Sequence, residues 1–95
     1  MVKYLIDHGA DVNAKRFNGW TPLMYAVYSG DFEMVKYLFE RGADVNATIY
    51  NGWTPLILAT RYGTLEMVKY LVDNGADVNV KDNDQWTPLM HSAGY

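Results

Sequence analysis

Gly19-Trp20-Thr21-Pro22-Leu23 returns as Gly52-Trp53-Thr54-Pro55-Leu56 and again, with its glycine replaced, as Gln85-Trp86-Thr87-Pro88-Leu89. The spacing is 33 residues both times. A fixed period of that length marks a stack of small units, each unable to bury its apolar face alone. Two further phrases keep the same beat. Val2-Lys3-Tyr4-Leu5, Val35-Lys36-Tyr37-Leu38 and Val68-Lys69-Tyr70-Leu71 lead to Gly9-Ala10-Asp11-Val12-Asn13, Gly42-Ala43-Asp44-Val45-Asn46 and Gly75-Ala76-Asp77-Val78-Asn79. The chain therefore opens inside a repeat. It divides as a partial repeat over 1–13, full repeats over 14–46 and 47–79, and a partial repeat over 80–95, all in one domain.

Within a unit the local signals predict two short helices. Thr21 is suited to cap a helix, because its hydroxyl can accept an orphan backbone N–H, and Pro22 sits where a missing N–H costs nothing. That helix runs to about Ser29 and stops at Gly30. Asp31 caps the next, with Glu33 in its positive first turn, and Val35, Leu38 and Phe39 form an apolar stripe at helical spacing. Gly42 suits a left-handed C-terminal cap. The second unit repeats the scheme with Thr54-Pro55, Gly63, Thr64, Val68, Leu71, Val72 and Gly75. Between units, Asn18-Gly19 and Asn51-Gly52 predict tight two-residue hairpin turns. Asp84-Gln85 replaces Asn-Gly in the third copy, and glutamine tolerates positive φ poorly, so a looser or differently shaped turn is expected there.

The period, the Gly-x-Thr-Pro-Leu phrase, the glycine after the first helix and Gly-Ala-Asp-Val-Asn together resemble the ankyrin-repeat family over nearly the whole chain. The resemblance implies an all-α repeat solenoid. Antiparallel helix pairs would be joined by projecting β-hairpin loops, and a concave face would bind other proteins without catalysis. A natural array fragment and a designed binder both fit. Two departures from the family pattern stand out. Met24, Ile57 and Met90 occupy the usual place of a loop-bridging histidine, which predicts apolar packing instead of an interloop hydrogen-bond network. The usual aspartate three residues before the turn glycine appears only as Asp82, with Arg16 and Ile49 elsewhere, so those two loops are expected to be held less firmly.

Composition narrows the function. A formal charge of −3 and a sequence pI near 5.1, without clustered Lys and Arg, argue against nucleic acid as a partner. No apolar run reaches the roughly 18 residues of a membrane span, and no signal-peptide pattern is present. The absence of cysteine suits a reducing, cytoplasmic setting, and equally suits an engineered chain. His8 and His91 have no second ligand at metal-binding spacing, and the Asp-Val-Asn triplets lack the twelve-residue calcium loop. No metal or other cofactor is expected. His8 is read as favouring the negative end of a helix. Asp11, Asp44 and Asp77 are read as local acceptors that fix a turn. There is no phosphate loop, no nucleophile–base set and no paired carboxylates, so the chain is read as not an enzyme.

Recognition should be written where the units differ and project. Repeated apolar positions, namely Val12, Val45, Val78, Leu38, Leu71, Leu23 and Leu56, are read as scaffold, and Tyr4, Tyr37 and Tyr70 as half-buried packing with wet hydroxyls. Phe17, Asn18, Tyr25, Tyr28 and Ser29 in the first full unit, and Tyr50, Asn51, Leu58, Arg61 and Tyr62 in the second, are the partner-binding candidates. Aromatic residues dominate that set, and Tyr, Trp and Arg are enriched at binding hot spots. Trp20, Trp53 and Trp86 are ambiguous, since repetition favours scaffold and position favours the concave face. With units about 10 Å apart they would form an aromatic ladder about 20 Å long. The expected partner is a protein or peptide bound through this aromatic-rich surface.

The ends suggest an alternative. Tyr95 stops within a first helix and Met1 starts within a second helix, so one molecule's end could complete another's repeat. Three repeats of 33 need 99 residues and the chain has 95, so such a join lacks only four. That predicts possible head-to-tail self-association into a structural column. Neither end carries a polar capping repeat, which predicts low or concentration-dependent stability.

Overall fold

Threonine and proline together start the first helix of each unit. The hydroxyls of Thr21, Thr54 and Thr87 accept the backbone N–H of Met24, Ile57 and Met90 at 3.4 Å, and a proline follows each cap. Asp31 and Thr64 cap the second helices, accepting from Met34 and Met67 at 3.1 and 3.2 Å. In the computed structural model, which describes residues 1–94, six α-helices result. They are α1 (Val2–Asp7), α2 (Pro22–Ser29), α3 (Phe32–Glu40), α4 (Pro55–Tyr62), α5 (Leu65–Asp73) and α6 (Pro88–Ala93). No strand occurs among the described residues. Tyr95, expected to end a first helix, lies outside them.

The helices form an all-α solenoid. α2 packs on α3 and on α4, and α4 packs on α5 and α6. The molecule measures 40 × 28 × 20 Å, and its long dimension matches four layers stacked about 10 Å apart. One core runs through the layers. Leu23, Leu38, Leu56 and Leu71 from the repeated phrases are all buried in it, as are Val35 and Met67. Met24 and Ile57 are wholly buried, so apolar packing fills the family's histidine site in the two full units, whereas Met90 is 49% exposed and does not pack in this way. Val12 and Val45 pack against the core, whereas Val78, expected as scaffold, is 47% exposed.

Several expectations need correction. Gly30 ends α2 in the left-handed region, but Gly63 ends α4 with extended backbone. Glycine is required there by closeness instead, since a Cβ would lie 2.9 Å from the Ala59 carbonyl oxygen. The repeated tyrosines do not share one environment. Tyr4 stacks on His8 at 4.1 Å, and Tyr70 sits edge-on to Phe32 and Phe39. The Tyr37 hydroxyl is not simply wet: it donates to the Asp7 carboxylate, and that bond raises the phenol above its ordinary range. His8 does cap the end of α1, its Nδ1 lying 2.8 Å from the Tyr4 carbonyl oxygen.

The interloop network has moved rather than vanished. Asp11, Asp44 and Asp77 each accept the backbone N–H two residues on, at 2.9 Å, as a turn-fixing aspartate should. The bridging falls to the asparagine after them. Asn13 donates to the Gly42 carbonyl and accepts the Asp44 N–H, and Asn46 does the same with Gly75 and Asp77. Successive units are therefore tied by side-chain amides on one side and by helix packing on the other.

Candidate functional site

The turns between units present the face on which recognition was expected. Each is a three-residue loop, not the two-residue turn that Asn-Gly suggested. Gly19 N–H donates to the Arg16 carbonyl at 2.8 Å, and Arg16 N–H donates to the Trp20 carbonyl at 2.9 Å. Asn18 keeps negative φ while Gly19 takes φ +89°, the pattern of a turn followed by one left-handed residue. Ile49 to Trp53 and Asp82 to Trp86 repeat the same bonds. The third turn is thus neither looser nor different. Gln85 is driven to φ +67° to keep it, at a cost of about 1–2 kcal/mol for a residue with a Cβ.

Closeness explains why glutamine is tolerated only there. A Cβ on Gly52 would lie 2.9 Å from Asn83 N and 3.0 Å from Asp82 Cα, and one on Gly19 would lie 3.0 Å from Ile49 Cα. Each turn leans its glycine on the backbone of the next. Turn-to-turn bonds fix that approach: Tyr50 N–H donates to the Asn18 carbonyl at 3.3 Å, and Asn83 N–H to the Asn51 carbonyl at 2.9 Å.

All three loops are held, by two alternative acceptors. In the first and second units Asn18 and Asn51 accept the backbone N–H of Trp20 and Trp53 through Oδ1 at 3.1 Å. In the third, Asp82 accepts from Trp86 and from Asp84, each at 2.9 Å. The loops lacking aspartate are therefore not loose, because asparagine at the tip does the same work. It also makes Asn18 and Asn51 structural in part.

The position of Asp82 carries a second pairing that the sequence reading missed. Arg16 NH1 donates to the Tyr25 hydroxyl at 2.9 Å. Asp82 Oδ2 lies 2.8 Å from His91 Nε2, with both side chains buried. The remaining pair, Ile49 and Leu58, is apolar and buried in the core. At a separation of nine residues the base of the turn and the first helix thus change together, as Arg–Tyr, Ile–Leu and Asp–His. Leu58, expected to project, belongs to this latch. Comparing the repeats column by column would have exposed the joint change.

Burial alone would raise the Asp82 carboxyl. The hydrogen bonds from Trp86, His91 and Asp84 outweigh burial and hold it below its ordinary value. Arg61 NH1 lies 3.1 Å from His91 Nδ1. A guanidinium can only donate, so Nδ1 accepts and the ring proton sits on Nε2, toward Asp82.

The tryptophans are one letter in three settings. Trp20 is half-buried and meets Tyr25 at 4.9 Å and Tyr28 at 5.8 Å between ring centroids. Trp53 is locked: Arg61 lies over its ring at 4.6 Å, and its indole N–H donates to Asp82 at 3.1 Å. Ile49, the counterpart of Asp82, offers Trp20 no such acceptor. Trp86 is 41% exposed and contacts His91. The indoles do not stack on one another. Tyr28 and Tyr62 meet at 5.1 Å and bridge the first two units, so the ladder is a ribbon with tyrosine, arginine and histidine as rungs.

Between the turns and the first helices lies a groove of about 530 Å³, lined by Trp20, Tyr25, Tyr28, Tyr50, Trp53 and Tyr62 among others. It gathers most of the predicted site residues. Phe17 and Tyr50 stand at the turn tips, 96% and 76% exposed, with Phe17 beside Arg16. Trp86 and Arg61 flank a separate hollow of about 510 Å³ with Asp82 and His91. Ser29 folds its hydroxyl onto the Ala26 carbonyl and lines the opposite, N-terminal groove.

A family model for ankyrin repeats in many copies matches residues 1–39, 25–72 and 62–95, which together span the chain. The chain belongs to the ankyrin-repeat family. Ankyrin repeats are in general protein-interaction modules and are typically not enzymes. No single curated protein matches the chain significantly. Among the described residues no helix is long and apolar enough to cross a membrane, and no group of three or more His, Cys, Asp or Glu side chains could hold a metal ion.

Proposed function

We propose that this ankyrin-repeat chain binds a partner protein through the groove between its turns and first helices, the concave, aromatic-rich face. The observation that supports this reading is the exposure of rings with no structural need for water. Tyr25, Tyr28 and Tyr62 are 40–54% exposed along the groove, and Phe17 and Tyr50 stand almost bare at the tips. A contiguous set of such rings on a charged, soluble scaffold is a surface built to be covered.

The test uses exposed residues, because Trp53 is tied to Asp82 and Arg61 and its loss would disturb the stack. Replacing Phe17, Tyr28 and Tyr62 together with alanine should leave the helical circular dichroism signal unchanged. Capture of a partner by the immobilised chain should be abolished. Retained capture by the folded triple variant would overturn the proposal.

Head-to-tail stacking is a second reading, favoured by apolar surface at both ends. An apolar groove of about 600 Å³ opens beside Val2, Leu5 and Ile6, and α6 shows Leu89 and Met90 at 75% and 49% exposure. Gln85 counts against stacking in continuous register. Its Cβ occupies the place where Gly52 would already clash with the next turn. Sedimentation of the wild-type chain across a range of concentrations decides between an open column and a monomer.

A further inference from the structure

Charge is distributed unevenly between the groove and the rest of the surface. The chain has 11 acidic and 8 basic side chains. None of the acidic ones lies in residues 16–29 or 49–62, the two segments that build the first two turns and α2 and α4. Each of those segments carries one arginine, Arg16 or Arg61. An acidic protein has thus cleared its groove of carboxylates and placed Arg16 beside it, on the groove-lining Tyr25, while Arg61 lies in the separate hollow with Asp82 and His91. The third turn reverses the sign, with Asp82 buried and Asp84 exposed.

The cations are oriented by aromatic neighbours. Arg16 is exposed, bonded through NH1 to the Tyr25 hydroxyl, and lies near the Phe17 ring. It forms no ion pair among the described residues. Arg61 lies over the Trp53 ring. The Arg16 guanidinium, fixed at one nitrogen by Tyr25, keeps the rest of its planar fork of N–H donors for a carboxylate, and the ordering entropy is already spent.

We propose that the groove takes an acidic–apolar linear segment of a partner protein. An Asp or Glu side chain of that segment pairs with Arg16, and a neighbouring large apolar side chain packs against Trp20, Tyr28 and Tyr62 on the groove side. The inference rests on the proposal that this face binds protein, and adds to it the chemistry of the occupant. Charge complementarity selects it over a basic segment, which would meet the Arg16 guanidinium and no carboxylate lining the groove. An uncharged apolar segment would leave Arg16 unpaired.

The test is selection of a random twelve-residue peptide library displayed on phage, against the intact wild-type chain. Enriched peptides should carry Asp or Glu within two residues of Leu, Ile, Phe or Trp. Binding of a selected peptide, followed by tryptophan fluorescence, should fall about tenfold with Arg16→Gln and by a similar factor between 50 and 500 mM salt. Tyr62→Ala should abolish it. Peptides that lose binding with Tyr62→Ala but show no acidic bias, or that bind Arg16→Gln equally well, overturn this inference and leave the binding face standing. Failure to enrich any peptide, or peptides indifferent to Tyr62→Ala in a folded variant, overturns both. Circular dichroism of each variant confirms that the fold is retained.

Discussion

The Asp82–His91 latch should show a stabilising coupling that can be rewritten in the language of the preceding unit. Asp82 receives four donors: the backbone N–H groups of Trp86 and Asp84, the Trp53 indole and His91. His91→Leu removes one of them. A hydrogen bond to a charged group contributes about 1.5–3 kcal/mol, and three donors remain on the carboxylate, so a loss of about 2 kcal/mol is expected. That stays short of the ~3–5 kcal/mol that follows when a buried charge loses its only partner. Asp82→Ile should cost more, about 3 kcal/mol, because it strips the acceptor from all four donors at once.

The second unit shows how the cost is recovered. There Ile49 and Leu58 fill the latch, and Asn51 accepts the tryptophan N–H. The triple variant Asp82→Ile, Asp84→Asn, His91→Leu writes that solution into the third unit. It should be more stable than Asp82→Ile alone, with a coupling between positions 82 and 91 of at least ~1 kcal/mol. Urea midpoints at constant slope measure this comfortably, since a domain of this size has about 5–14 kcal/mol in all. Additivity of the single changes within ~0.5 kcal/mol would refute the latch. The pH dependence supplies a second check. The folded Asp82 carboxyl is held below its ordinary value, so its contribution is complete above the unfolded value and disappears as pH falls through the folded one. The gap between wild type and Asp82→Ile should therefore be full at neutral pH and close below about pH 4.

Four further outcomes follow from the turns and bridges. Gln85→Gly removes about 1–2 kcal/mol of left-handed strain but frees the unfolded chain by about 0.4–1 kcal/mol, so a net gain of roughly 0.5 kcal/mol should appear in thermal melts. Gly52→Gln, the converse change, drives a Cβ against the Asn83 backbone as well as into φ +84°, and should cost more than about 2 kcal/mol in urea unfolding. Asn46→Ala loses two bonds to the next unit and should cost about 1–2 kcal/mol. Asn79→Ala, at the same repeat position but with a side chain that makes no hydrogen bond among the described residues, should be nearly neutral by the same measurement.

The helices and their limits were legible because their causes are local. Threonine caps, prolines and the apolar stripe act within a few residues, and α2 through α5 fall where those signals put them. What was not legible depends on neighbours in space. Asn-Gly reads as a two-residue turn in isolation, yet the glycine is needed one place later, where the next turn presses on it. Gln85 looks like a broken turn for the same reason, and it keeps the shape because two turn bonds, Gln85 N–H to the Asp82 carbonyl and Asp82 N–H to the Trp86 carbonyl, outweigh its own conformational preference. Leu58 looks like a projecting residue, yet it is buried in the core, as is Ile49.

The same distinction divides the site. Exposure of Phe17, Tyr28, Tyr50 and Tyr62 could be anticipated, since a turn tip or an outward helix position leaves a ring few places to hide. The tryptophans could not be separated by sequence, because their difference lies in residues of the following unit. Asp82 reaches back to lock Trp53, and Ile49 leaves Trp20 without that tie. A repeat protein writes its scaffold in what the units share and its surface in what each unit does to the one before it. Any change at position 49 or 82 is consequently a change at the tryptophan of the preceding unit. Ile49→Asp should therefore draw the Trp20 indole toward the bond that Trp53 makes, blue- or red-shifting its fluorescence, while leaving Leu58 facing a carboxylate it cannot satisfy; the stable form of that transfer needs Leu58→His as well.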